Sequence, residues 1–211
     1  MVISRVPDSL DTARTVQIGA PAAANSQTAP PEDAEQLWEC LELERRLLDV
    51  AIDRGDCDHL PISDATLLAL HTRLCQRFAP HLAGWRCIDP RLPAWPLPYP
   101  DVVRKRVRSH LQLATGRLKS QSGHGLEMLI EALAFLEGGL LALYPFSNLC
   151  EPAVRALMRL QLRQLGRPGV ALDGDTTPLY LRAIQTGRVS QWDWLVPVWR
   201  LRLDWSSRPP R

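Results

Sequence analysis

The stretch from about Leu126 to Leu143 limits what this chain can fold into more than any other feature. Leu129, Ile130, Leu133, Phe135, Leu136, Leu140 and Leu141 make it apolar almost all round. A helix without a polar face is stable only when other elements cover it, so the stretch predicts a central, buried helix. The remaining segments supply the cover. From Glu32, the residues Leu37, Trp38, Leu41, Leu47, Leu48 and Ile52 recur at helical spacing until Gly55 stops the run. Ser63 caps a second helix carrying Leu67, Leu70, Leu74 and Phe78, which Pro80 closes.

Between Gly84 and Pro100 the helical period disappears, and prolines at 90, 93, 96, 98 and 100 exclude a long central strand because each lacks a ladder donor. An extended, stiff loop is expected there. A third helix follows from about Pro100 to Leu118. Beyond the apolar helix, another begins after Asn148, with Glu151 and Pro152 in its first turn, and ends at Gly166. Thr177 with Pro178 opens one more. Ser190 opens the last, which carries Trp192, Trp194, Trp199 and Trp205, with Pro197 as a kink or break. The expected fold is all-α, a domain of about seven helices over residues 32–211 with one proline-rich extended insertion. Residues 1–31, with the small-residue run Ala20 to Ala24 and the pair Pro30 and Pro31, bury too little to fold and read as a mobile N-terminal arm.

Composition narrows the function classes. A chain of 211 residues, 45% of them hydrophobic, can build its core without metals or disulfides. Its 25 basic and 23 acidic residues leave a net charge of +2, too balanced for a general polyanion binder. Only Arg104, Lys105, Arg106 and Arg108 form a local basic run; without a DNA or RNA motif it reads first as a solvated face, and nucleic acid is not the expected partner. Cys40, Cys57, Cys75, Cys87 and Cys150 are odd in number, show no C-x-x-C spacing and mostly sit among apolar neighbours, which fits reduced, buried thiols in a cytoplasm. No segment reaches the roughly 18 uninterrupted apolar residues of a membrane span, and the first thirty lack a signal-peptide apolar stretch. The expectation is a soluble cytoplasmic protein with no membrane partner, with delivery by a specialised secretion system left open. Cys57, His59, His71 and Cys75 are metal-type ligands at spacings unlike a zinc module, so a structural role is expected and no metal. No P-loop, dinucleotide or hydrolase signature occurs.

Residues 144–155 read Y-P-F-S-N-L-C-E-P-A-V-R. Leu67 to Leu74 read L-L-A-L-H-T-R-L, followed by Ala83, Gly84, Trp85 and Arg86 and then by the proline-rich stretch. A helical segment from Arg155 ends in Gly166 and Pro168, and Tyr180 and Leu181 come later. This ordered set resembles the Fic family, whose members typically move AMP from ATP onto a hydroxyl of a target protein. The family motif is H-P-F-x-[DE]-G-N-G-R-x-x-R, and Pro145, Phe146 and Arg155 match it in register. The L-x-x-L-H-x-x-L helix, the A-G-x-[YW]-R segment, a target-binding flap and a later Y-L-x-A-L segment also have counterparts here. The resemblance spans about residues 60 to 205 and implies a Fic-like helical domain with a flap-like insertion.

The departures fall on the chemistry. Tyr144 stands where the family has its general base, and at an ordinary phenol pKa roughly one in a thousand is ionised at neutral pH. A positioned base contributes about 100- to 10,000-fold in rate, so this change alone can abolish activity. Asn148 replaces the acidic residue that holds Mg²⁺, and a neutral amide is a weak anchor for a hard cation. Leu149, Cys150 and Glu151 occupy the glycine-rich anion nest; leucine is expected to resist the positive φ that glycine allows, and Glu151 places negative charge where phosphate docks. Pro152 replaces the first motif arginine. ATP and Mg²⁺ binding is therefore not expected, no cofactor is expected and no residue is assigned as catalytic.

Arg155 is the retained piece. Glu151 lies one turn before it, in the favourable order for an intrahelical pair, and can stand in for the missing anion. The alternative is that Arg155, Arg159 and Arg163 are one solvated helix stripe. The family's inhibitory S/T-x-x-x-E-[GN] pattern is not evident, and Glu39, Glu42 and Glu44 read as solvated charges. Most of the seven tryptophans should be core. Trp85, Trp95 and Tyr99 beside the stiff loop, with Arg155, are the candidate partner-binding residues. The expected function is that of a catalytically degenerate Fic-like protein, not an enzyme, which binds another protein as an inhibitor, adaptor or regulator. The family resemblance implies a bacterial setting such as secretion, plasmid transfer or a toxin system. The alternative is a diverged nucleotidyl or other group transferase with a rebuilt site, using Tyr144 as acceptor or nucleophile and Arg155 to hold an anion.

Overall fold

A computed structural model describes residues 32–76, 79–87, 97–120, 125–172, 180 and 192–206. Among these the regular structure is helical, with no strand: α1 (Glu32–Arg54), α2 (Asp64–Cys75), α3 (Pro100–Ser120), α4 (Leu126–Leu143), α5 (Cys150–Gln164) and α6 (Leu195–Ser206), with short 3-10 turns at Pro80–Leu82 and Trp192–Trp194. The expected arm at 1–31, most of the proline-rich insertion and the helix expected at Thr177 lie outside the described residues, as do Phe78, Leu181 and Ser190.

The all-round apolar helix is central. α4 packs against α3, α5 and α6, and α5 in turn packs against α1 and α2. Ile130, Leu133, Leu136 and Leu140 are completely covered. Ser63 caps α2 as its sequence predicts, its Oγ accepting from the Thr66 N–H at 3.2 Å. α2 ends at Cys75, before Pro80, which instead starts the 3-10 turn.

Two expectations are corrected at the ends of the chain. Trp38 and Leu47 lie on the outer side of α1, at 70% and 42% exposure, while Leu41, Leu48 and Ile52 form its inner face. Pro197 lies not inside a helix carrying all four tryptophans but in the first turn of α6, where a missing N–H has no intrahelical partner to lose, and Trp192 and Trp194 belong to the 3-10 turn before it. All five cysteines are free thiols; Cys57, Cys75 and Cys150 are buried as expected, but the expectation is corrected for Cys40 and Cys87, which are exposed. No helix among the described residues is long and apolar enough to cross a membrane.

Candidate functional site

The segment between α4 and α5 turns twice through left-handed backbone. Tyr144 (φ 46°, ψ 63°) ends α4, its N–H donating to the Leu141 carbonyl at 3.2 Å, and Leu149 (φ 52°, ψ 26°) leads into α5. The expectation that a leucine would resist this conformation at the first nest position is wrong. Left-handed backbone costs roughly 1–2 kcal/mol for such a residue. That cost is offset by the packing of Leu149 on the core and by its carbonyl accepting the Ala153 N–H at 3.1 Å. Leu149 therefore holds a left-handed turn without being a glycine.

Two segments distant from it in sequence close on this turn. Phe146 is fully buried and stacks on His71 of α2, with ring centroids 3.8 Å apart and planes at 11°. Trp85 stacks on the same ring at 5.2 Å. The Asn148 carbonyl can only accept, so the His71 ring nitrogen 3.0 Å away, Nε2, carries the proton and donates to it. Its other nitrogen is buried with no hydrogen-bond partner among the described residues. Burial holds His71 below the ordinary histidine range, opposed by the bond to the Asn148 carbonyl, which favours the charged ring.

Arg86 pins the turn from the other side. Its Nε donates to the Tyr144 carbonyl at 2.8 Å, its backbone N–H to the Pro145 carbonyl at 3.0 Å, and its guanidinium also to the Pro98 carbonyl. At 2% exposure it is a buried cation serving backbone oxygens. Sequence reasoning placed Arg86 in a motif without giving it this task; an arginine directly after the loop-flanking Trp85 was the available signal.

Arg155 donates from Nη2 to Glu151 Oε1 at 2.7 Å, as the one-turn spacing predicts, and its guanidinium lies 5.8 Å from the centre of the Tyr180 ring. The solvated-stripe alternative is corrected. Arg159 meets Asp53 of α1 at 3.2 Å, and Arg163 meets Asp58 just beyond α1 at 2.7 Å, so those two stitch α5 to the α1 end of the fold. All three arginine side chains are less than a quarter exposed. On α1, Glu44 is buried, and Glu42 bridges Arg45 and Arg46, whose hydrogen bonds lower its pKa to about 2. Neither is the free solvated charge expected.

Behind the site, Glu137 of α4 is a buried carboxylate that sequence reasoning missed. It accepts from the Tyr180 hydroxyl at 3.2 Å, Trp199 Nε1 at 2.8 Å and Arg202 Nη1 at 2.9 Å. The signal was present: it is the sole acid between Ala132 and Leu143 in an otherwise apolar run. Burial, and secondarily the Glu137 charge, push the Tyr180 phenol far above its usual range, so it stays a neutral donor.

The remaining candidates separate. Trp85 is half-buried against Phe146, Tyr99 is 75% exposed, and Trp95 lies outside the described residues. Pro145 and Cys150 are buried, Asn148 is exposed, and Tyr144, Glu151 and Pro152 are half-buried. His71 and Cys75 do share a helix face, with Sγ 3.7 Å from Nε2, but no cluster of three or more metal-type ligands occurs among the described residues. Compared with known proteins, the chain matches no family model, no curated protein and no solved structure.

Proposed function

We propose that this is a catalytically degenerate Fic-like protein that acts by binding another protein, as an inhibitor, adaptor or regulator. The observation that carries the reading is spatial: the helix with His71 and the segment with Trp85 and Arg86 are both far in sequence from the turn at 144–149, yet meet it around Phe146. These are the segments on which the family resemblance rests. At the same place the groups a transferase needs are replaced, and Glu151 holds the retained Arg155. An anion seeking that guanidinium must displace a carboxylate already bound to it. A bacterial setting in secretion, plasmid transfer or a toxin system follows from the resemblance alone.

A second reading, a group transferase with Tyr144 as acceptor or nucleophile, draws on one observation: Leu149 keeps the left-handed backbone at the start of α5, so part of an anion-cradling path persists. Incubating the full chain with labelled ATP, GTP and UTP, in Mg²⁺ or Mn²⁺, and measuring mass shifts on itself and on lysate proteins separates the two. The binding-protein reading expects no transfer. Reproducible transfer that disappears in Tyr144→Phe or Arg155→Ala would overturn it.

A further inference from the structure

The basic run on α3 divides into two faces. Arg104 and Arg108, one turn apart, both reach the largely buried Asp64 of α2, at 3.1 and 3.0 Å. Their hydrogen bonds, Arg108 first, hold its carboxyl below the usual range. Lys105 and Arg106 turn the other way, onto a surface groove of about 680 Å³ between α3 and α4. Val102 and Leu113 of α3 and Phe135 and Leu143 of α4 supply its apolar lining, with Trp192 beside them. Among the described residues no carboxylate lines the groove, and neither Lys105 nor Arg106 makes an ion pair.

We propose that this groove is a docking site for a short segment of a partner protein that carries acidic and apolar side chains together. The inference rests on the protein-binding reading above and gives it a location. Three features select that occupant. The lining positions on α3 run from Val102 to Leu113, a span of about 16 Å at helical rise, which matches about five residues of extended peptide. The floor is apolar and the rim cationic, so a complementary segment buries aliphatic groups while its carboxylates meet Lys105 and Arg106. The Phe135 ring is already engaged, with the Arg117 guanidinium 3.9 Å over its centre and Trp192 edge-on at 5.5 Å, which leaves it a poor platform for stacking a nucleic-acid base.

The test is selection of a random dodecapeptide library on the full chain, followed by fluorescence polarisation of the enriched peptides. Peptides with carboxylates beside apolar residues should emerge. Their affinity should fall by about tenfold or more in Lys105→Glu/Arg106→Glu and, separately, in Leu113→Asp. Leu113 is 62% exposed, so this change is compatible with folding, which circular dichroism checks. Lys119→Glu, on the same helix but away from the groove, should leave affinity unchanged. No enrichment, enrichment of peptides lacking carboxylates, or equal binding by the groove variants would overturn the proposal. So would binding of single-stranded oligonucleotides with the same variant dependence, or displacement of the peptides by a synthetic segment of residues 1–31. These readouts are independent of nucleotide transfer, so the groove can fail while the protein-binding reading stands, and the reverse.

Discussion

Gly139 shows how closely single residues are set in the central helix. A methyl group there would come within 2.0 Å of the His110 ring, whose Nε2 donates to the Leu136 carbonyl at 3.2 Å. Gly139→Ala should therefore destabilise the protein by about 2 kcal/mol through overpacking. Gly116 in exposed α3 has nothing within 4 Å, so Gly116→Ala should stabilise by about 0.5–1 kcal/mol. Urea unfolding of the two variants measures both signs. His71 sets a pH dependence. Its folded pKa is lowered by burial, so the unfolded chain takes up the proton first as pH falls through about 6.5, and native stability falls with it. Stability above that pH should be flat in this respect. Below it the loss should approach about 1.4 kcal/mol per pH unit until the folded pKa is passed. Denaturant midpoints taken across this range on wild type and His71→Gln test the assignment, because the variant should lose that component of the slope.

Between elements, the pairings depend on charges that single-segment reading sees only as exposed polar faces. Glu137 and Arg202 join α4 to α6 with both side chains under 5% exposed. Arg202→Met should cost about 3–5 kcal/mol, because it leaves a buried carboxylate without its cation. The double variant Glu137→Gln/Arg202→Met should recover part of that loss, which thermal unfolding can read. The element plan was largely legible: the apolar run located α4, Ser63 fixed the start of α2, and Gly55 (φ 93°) and Gly166 (φ 73°) marked the ends of α1 and α5. The Glu151–Arg155 pair was legible too, because its partners are one turn apart. The partners of Arg159 and Arg163 were not, since Asp53 and Asp58 lie about a hundred residues earlier and nothing local links them. Leu149 defeated a propensity argument for another reason: packing and a helix-starting hydrogen bond outweighed its backbone preference.

Across the whole molecule, the packed pair α4 and α5 presents one turn to surrounding segments, and those segments pack around it. Phe146 is sealed between His71 and Trp85, Arg86 holds the backbone at Tyr144 and Pro145, and Glu151 occupies Arg155. On the function proposed above, this is an anion site closed by its own side chains, and partner recognition is proposed to lie elsewhere on the surface. Isothermal titration of the full chain with Mg²⁺ and ATP tests that claim directly. Wild type should give no saturable heat, while Glu151→Gly, which removes the carboxylate paired with Arg155 and its opposing charge, should gain measurable binding. Stoichiometric, saturable binding by wild type that is lost in Arg155→Ala would contradict the account.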